Sequence, residues 1–266
     1  MGANSAPVPD YLRAGRAIAS VTKDQPVILV TGGDSGIGLA ICRRFARSGY
    51  RVVMSGKEAK RGKKMAESID PSGAVYLKAD VRDENQLRNL IRRAIEVCGR
   101  LDVLCNNAGI QRLASIEAAS SALWDEVLSV NTRGPFLCVK YAVPYLKRTR
   151  GCIVNIGSTG GLVGYANGAA YCASKAALIM MTKVLSLELA PKRVRVNCIC
   201  PGATRTSMIN TQKLKSLPKQ IPLGKVSEPE DVAELAFFLA SSQARQITGG
   251  VFVVDGGITA GRPRLA

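Results

Sequence analysis

Val27-Ile28-Leu29-Val30-Thr31-Gly32-Gly33-Asp34-Ser35-Gly36-Ile37-Gly38 is the stretch on which the fold turns. An apolar, largely β-branched run passes through glycines straight into the helix-period segment Gly38–Arg47. A strand that turns in this way brings backbone N–H groups and a helix N-terminus to one point, an arrangement that suits a pyrophosphate. The spacing is G-x-x-x-G-x-G and not the more general G-x-G-x-x-G. Its place after a first strand and before a first helix predicts a phosphate-binding turn built from Gly32, Asp34, Ser35, Gly36, Ile37 and Gly38.

The same alternation continues outward from this turn. Short apolar runs fall at Val27–Val30, Arg51–Met54, Ala74–Leu77, Leu101–Cys105, Cys152–Ile156, Val194–Ile199 and Val251–Val254. Several are apolar throughout, as strands buried on both faces are. Between them lie the helix-period segments Glu84–Cys98, Leu123–Leu146, Tyr171–Leu189 and Glu230–Leu239. Strand–helix–strand repetition predicts one α/β domain, a doubly wound, seven-stranded parallel sheet with helices on both faces. The expected organisation is an N-terminal extension over 1–25 and a dinucleotide-binding catalytic domain over 26–266. The extension is Ala-rich, with Pro7 and Pro9 and the basic residues Arg13, Arg16 and Lys23. Asp10 and Asp24 speak against a transit peptide and favour a floppy or surface-docked arm.

Composition narrows the chemistry. The 266 residues are 47% hydrophobic, enough for a full core, and no apolar run approaches the length of a membrane span, which predicts a soluble, cytoplasmic protein without a membrane partner. There is no histidine, which removes Ser-His-Asp hydrolysis, His-ligated zinc and imidazole acid–base catalysis together. The eight cysteines are scattered without a C-x-x-C pair and are expected as small buried hydrophobes in a reducing compartment, with Cys198 and Cys200 on one face of a strand. The net charge of +17 raises the question of nucleic acid. It divides into 18 basic and 10 acidic residues through position 100, and 19 and 10 thereafter. Without a basic stripe interleaved with aromatics, no specific nucleic-acid partner is expected.

Further motifs stand at informative places. Asp80 follows the third strand, with Val81 next. Asn106-Asn107-Ala108-Gly109 follows the fourth. Asn131 lies in a helical segment, Ser158 ends the fifth strand, and Tyr171-Cys172-Ala173-Ser174-Lys175 begins thirteen residues after that serine. Pro201-Gly202 follows the sixth strand, with Thr204, Thr206 and Met208 beyond. Together with Thr31–Gly38, this order resembles the short-chain dehydrogenase/reductase family of Rossmann-type enzymes, from about Val27 to Gly257. Ile221-Pro222-Leu223-Gly224 and the segment after it resemble the 3-oxoacyl-(acyl carrier protein) reductase and secondary-alcohol or sugar dehydrogenase branches.

The resemblance implies an oxidoreductase that interconverts a small-to-medium ketone and a secondary alcohol. It implies a catalytic set of Asn131, Ser158, Tyr171 and Lys175. Tyr171 and Lys175 are four apart on a helix and share a face. An ammonium there is expected to lower the phenol pKa, so that Tyr171 serves as acid and base. Ser158 would orient the substrate oxygen, Lys175 also bind the nicotinamide ribose, and Asn131 support the relay. Cofactor contacts are implied at Gly32, Asp34, Ser35, Gly36, Ile37, Gly38, Asp80, Val81, Asn107, Ala108, Gly109, Tyr171, Lys175, Pro201, Gly202, Thr204 and Thr206.

NADP(H) is the expected cofactor form, with NAD(H) as the alternative. Gly56 stands where NAD-using relatives carry Asp, so no carboxylate is expected to repel a 2′-phosphate. Lys57 follows at once, Ser55 offers a hydroxyl, and Lys60, Arg61, Lys63 and Lys64 come soon after. Ser35 and Glu58 point the other way. Lys213, Lys215, Lys219 and Lys225 suggest a basic lid suited to an anionic or carrier-bound substrate. A non-catalytic nucleotide sensor is the rival reading, disfavoured by the intact four-residue set. By analogy the assembly is a homotetramer built on the helices carrying Asn131 and Tyr171.

Overall fold

The structure, a computed structural model, describes residues 25–70, 74–209 and 217–261. Residues 1–24 of the expected N-terminal arm, and Lys213 and Lys215 of the expected lid, lie outside the described residues. Seven strands form one parallel sheet: β1 (Val27–Thr31), β2 (Arg51–Gly56), β3 (Ala74–Lys78), β4 (Val103–Asn106), β5 (Cys152–Ile156), β6 (Arg195–Pro201) and β7 (Val251–Val254). Their spatial order is β3-β2-β1-β4-β5-β6-β7, with Val27 opposite Arg51 and Ile28 opposite Val103. The order reverses between β1 and β4, and the crevice above their carboxyl ends is the natural ligand site of such a sheet.

Among the described residues seven helices cover the sheet: α1 (Gly36–Ala46), α2 (Ala59–Ile69), α3 (Glu84–Cys98), α4 (Ser121–Leu128), α5 (Gly134–Thr149), α6 (Ala169–Leu189) and α7 (Pro229–Ala240). Alternate residues of β1 feed the two cores. Ile28 and Val30 pack with Ile41 and Phe45 of α1 and with Val232 and Ala236 of α7. Val27 and Leu29 pack with Leu87 and Ile91 of α3 and with Leu137 and Ala142 of α5. Burial on both faces is why the strands read as continuous apolar runs. All eight cysteines are free thiols, seven of them buried.

One expected element differs. The segment read as a single helix over Leu123–Leu146 is two helices, α4 and α5, separated by a π-helical turn at Ser129–Arg133 that contains Asn131. The segment Ala169–Lys192, α6 with the turn that follows it, is long and apolar enough to cross a membrane by length and composition. That qualifies the expectation that no segment approaches such a length. Here it lies along the sheet, in contact with β6.

Candidate active site

The glycine turn is locked from the neighbouring strand. Asn107 Nδ2 donates to the carbonyls of Thr31 and Gly32, both at 2.9 Å. Thr31 Oγ1 in turn accepts from the N–H groups of Asn107 and Ala108 at 3.1 Å. Gly32 has φ +62°, a left-handed conformation that glycine adopts without strain. A Cβ at Gly38 would stand 2.1 Å from the Gly32 carbonyl oxygen, so the first turn of α1 can approach the loop only without a side chain. Thr206, in the segment after β6, packs over Gly36.

At the far side of the crevice the four expected catalytic positions come together. Tyr171 and Lys175 rise one turn apart from α6 and are both buried. Ser158 follows β5, its Oγ accepts from the Gly160 N–H at 3.0 Å, and it flanks Gly160 together with the Tyr171 ring, each 3.4 Å from the absent Cβ. Lys175 Nζ donates to the Ile156 carbonyl at 2.8 Å and lies 5.9 Å from the centre of the Tyr171 ring. Asn131 is fully buried. Its Oδ1 accepts from Ile110 N, and its Nδ2 donates to Ile110 O and to Ser174 Oγ, at 2.9 to 3.0 Å. Gly109 stands between Asn131 Oδ1 and Lys175 Nζ, each 3.4 Å from its absent Cβ.

The electrostatics correct one expectation. Tyr171 is not drawn down by its lysine. Burial pushes its phenol above the usual value, and the nearby Ser158 hydroxyl only partly offsets this. The same burial pushes Lys175 down to about 8. A water-poor site disfavours phenolate and ammonium alike, and the lysine is engaged with a carbonyl and not with the phenol. Behind Lys175, the Sγ atoms of Cys198 and Cys200 lie 3.9 Å apart on one face of β6, as their spacing predicts.

The end of β2 brings a second correction. Gly56 carries no acid, yet a carboxylate occupies the space. All three carboxylate atoms of Asp34 lie 3.1 to 3.3 Å from where a Gly56 Cβ would be. Asp34 is 4% exposed and accepts from Arg61 Nη2 at 2.7 Å and Nε at 2.9 Å. Ser55 cannot serve as a donor at the surface, because its Oγ is sealed in the sheet without a partner. Lys57 is exposed. Asp80 is held well below the usual carboxylate range, chiefly by the Arg82 guanidinium, which reaches it at 2.6 Å. Val81 is buried in the core and its carbonyl packs against Gly134.

Between the turn and the four residues lies a cavity of about 1050 Å³. Its walls include Gly32, Ser35, Gly36 and Ile37 from the turn, Asn107, Ala108 and Gly109 after β4, Ser158, Tyr171 and Lys175, and Pro201, Gly202, Thr204 and Thr206 after β6. The remaining expected positions, Asp34, Gly38, Ser55, Lys57, Asp80, Val81 and Asn131, stand outside that wall. These residues fit a dinucleotide. The glycine faces that a Cβ would fill and the α1 N-terminus suit a pyrophosphate, and the phenol and lysine stand at the opposite end. Lys219 and Lys225, the described members of the expected basic lid, are exposed and do not line the cavity. Sequence reasoning missed Gln111, Tyr165 and Asn167, which do.

Comparison with known proteins agrees with this fold. Residues 32–259 match the family described as enoyl-(acyl carrier protein) reductase. A meso-2,3-butanediol dehydrogenase of Serratia marcescens is 36% identical over 247 residues, 91% of this chain and 98% of its own. A 3-oxoacyl-(acyl-carrier-protein) reductase of Thermotoga maritima is 38% identical over 241 residues, 87% of this chain and 97% of its own. Among solved structures, a 3-ketoacyl-(acyl-carrier-protein) reductase from Brucella melitensis complexed with NADH has a TM-score of 0.85 at 33% identity, covering 90% of this chain and 100% of that one.

Proposed function

The chain belongs to the short-chain dehydrogenase/reductase family and is an NAD(P)-dependent oxidoreductase acting on CH–OH donors, and from that premise we propose that it interconverts a small-to-medium ketone and its secondary alcohol with Tyr171 as the acid and base. The observation that carries this reading is the convergence of Ser158 Oγ and the Tyr171 ring beside Gly160, next to the buried Lys175, at the end of the cavity opposite the glycine turn. The turn and the segments after β4 and β6 would hold a nicotinamide dinucleotide, which when bound would supply or accept the hydride. The chain's own residues handle the proton. In the reductive direction Tyr171, kept protonated by burial, donates from its hydroxyl to the carbonyl oxygen, while Ser158 donates a second hydrogen bond to that oxygen as charge gathers there. Lys175, as ammonium, stabilises the phenolate left behind. Asn131 is a positioning residue that ties the Ile110 backbone to Ser174 on α6.

NADP(H) is the proposed form. Lys57 and Arg61 bring two cations to the neighbourhood of Gly56, where Arg61 already covers the Asp34 carboxylate and Glu58 is the remaining acid. The NAD(H) reading has its own support, because Asp34 stands where a β2-terminal acid would meet a ribose 2′-hydroxyl. Fluorescence titration with NADPH and NADH separates them. Tighter NADPH binding, lost in Lys57→Glu, is the expected outcome. Tighter NADH binding, with selectivity relaxed by Asp34→Ser, would transfer the role to Asp34. Binding of neither would remove the catalytic reading.

A further inference from the structure

Three hydroxyl-bearing side chains converge on Gly160. A Cβ built there would lie 3.0 Å from Tyr165 Cε1, 3.4 Å from Ser158 Oγ and 3.4 Å from Tyr171 Cε1. Ser158 and Tyr171 are accounted for by the reaction; Tyr165 is not. It sits in the loop between β5 and α6, its ring 6.4 Å from that of Tyr171 with the planes 37° apart. Tyr165 is 42% exposed, with one side of its ring set against glycine. A Cβ at Gly168 would come within 2.5 Å of its Cε2, so the ring occupies space left by two glycines. Its hydroxyl accepts from Gln111 Nε2 at 2.8 Å, a contact between two loops 54 residues apart in sequence. Both residues line the cavity.

The chemistry of this pair differs from that of Tyr171. Burial pushes the Tyr165 phenol above its usual value, with Tyr171 and Cys172 acting in the same direction against the Gln111 hydrogen bond. Lys175 lies 5.9 Å from the Tyr171 ring, whereas among the described residues no cation stands over the Tyr165 ring, so Tyr165 stays a phenol and acts as a hydrogen-bonding group, not as a base. A phenol O–H and an amide carbonyl side by side can satisfy the acceptor and the donor of one alcohol group. Among the described lining residues the sole charged side chain is Lys175, so the wall near this pair recognises neutral oxygen.

We propose that Gln111 and Tyr165 form a second oxygen-binding station beside the reacting carbon, so that the substrates of this site are vicinal hydroxy ketones and diols. The proposal rests on the reading that Ser158 and Tyr171 hold the reacting oxygen. Hydride reaches the carbonyl carbon, the Tyr171 proton reaches its oxygen, and the adjacent C–OH bond is left intact. Tyr165 therefore contributes to binding and orientation and to no bond change.

The test compares acetoin with butanone, which differ by one hydroxyl, as substrates for the wild type, Tyr165→Phe and Gln111→Leu in the presence of reduced nicotinamide. The wild type should favour acetoin by about 10- to 100-fold in kcat/KM, mostly through KM, because a site built to bond a hydroxyl discriminates against the analogue that lacks it. Tyr165→Phe should raise KM for acetoin by about 10-fold more than KM for butanone, the difference being that one hydrogen bond. Gln111→Leu should act in the same direction with the phenol retained. Equal use of both ketones by the wild type, or an equal loss on both in Tyr165→Phe, would overturn the proposal and leave the ketone reduction standing. Turnover of neither ketone, with reduced nicotinamide bound, would overturn the redox reading itself and this proposal with it.

Discussion

Lys175 is a buried cation whose burial leaves a trace in stability as well as in rate. Its native pKa of about 8 lies below the ordinary lysine value. Below both values the two states carry the same proton and the native state bears the full burial cost. Between about pH 8 and the ordinary value near 10.4, the native chain sheds the proton first while the unfolded chain keeps it, so stability rises with pH across that window. The stability of the wild type in urea should therefore gain on that of Lys175→Met from pH 8 upward, by about 3 kcal/mol at the top of the window; a constant difference would mean that the native lysine titrates at its ordinary value. Much of this site was legible as residue types at fixed intervals, because Ser158, Tyr171 and Lys175 lie at the end of one strand and on one helix face, where spacing dictates geometry. What spacing does not report is solvation. Whether an ammonium lowers a phenol or burial raises it depends on how much water the fold removes, and here burial prevails at Tyr171. Asp34 was read correctly as part of the turn, but that its carboxylate fills the space beside Gly56 follows from how β1 and β2 align, with Thr31 opposite Ser55.

Among the elements, the strands were the most readable, since burial on two faces leaves an unbroken apolar run that few other structures produce. The break between α4 and α5 was not. The helical pattern continues through Ser129–Arg133, because a π-turn shifts the hydrogen bonds without exposing the apolar face. That turn carries Asn131, whose amide meets Ile110 at the end of the segment after β4 and Ser174 on α6. Asn131→Leu should lower stability by about 2–3 kcal/mol, as the Ile110 N–H and C=O lose their partner in a buried place. Chemical denaturation measures this directly, and a loss under about half that size would show that water replaces the amide. The Gln111–Tyr165 contact escaped sequence reading for a different reason: it joins two irregular segments that carry no periodicity to betray a shared wall.

At the scale of the whole molecule, apolar side chains remain on the outside of α6. Met180, Val184 and Leu187 are 58%, 47% and 77% exposed and follow one another at helical spacing, and Phe136 on α5 is half exposed. We propose that these faces join copies of the chain, giving a tetramer with four times the 28.2 kDa mass of the chain. Light scattering at moderate salt should return that mass, and a monomer would contradict it. The charge of +17 is spread over both halves of the sequence and should produce weak, salt-sensitive adhesion to polyanions without sequence preference. The most direct test of the central claim is a single-turnover measurement on wild type and Tyr171→Phe, each loaded with reduced nicotinamide and mixed with ketone, following loss of the reduced-nicotinamide absorbance. The wild type should oxidise its bound nicotinamide, and Tyr171→Phe, with coenzyme affinity unchanged, should do so about 10²- to 10⁴-fold more slowly. Equal rates in the two proteins would show that Tyr171 is not the acid, and the mechanism built around it would have to be abandoned.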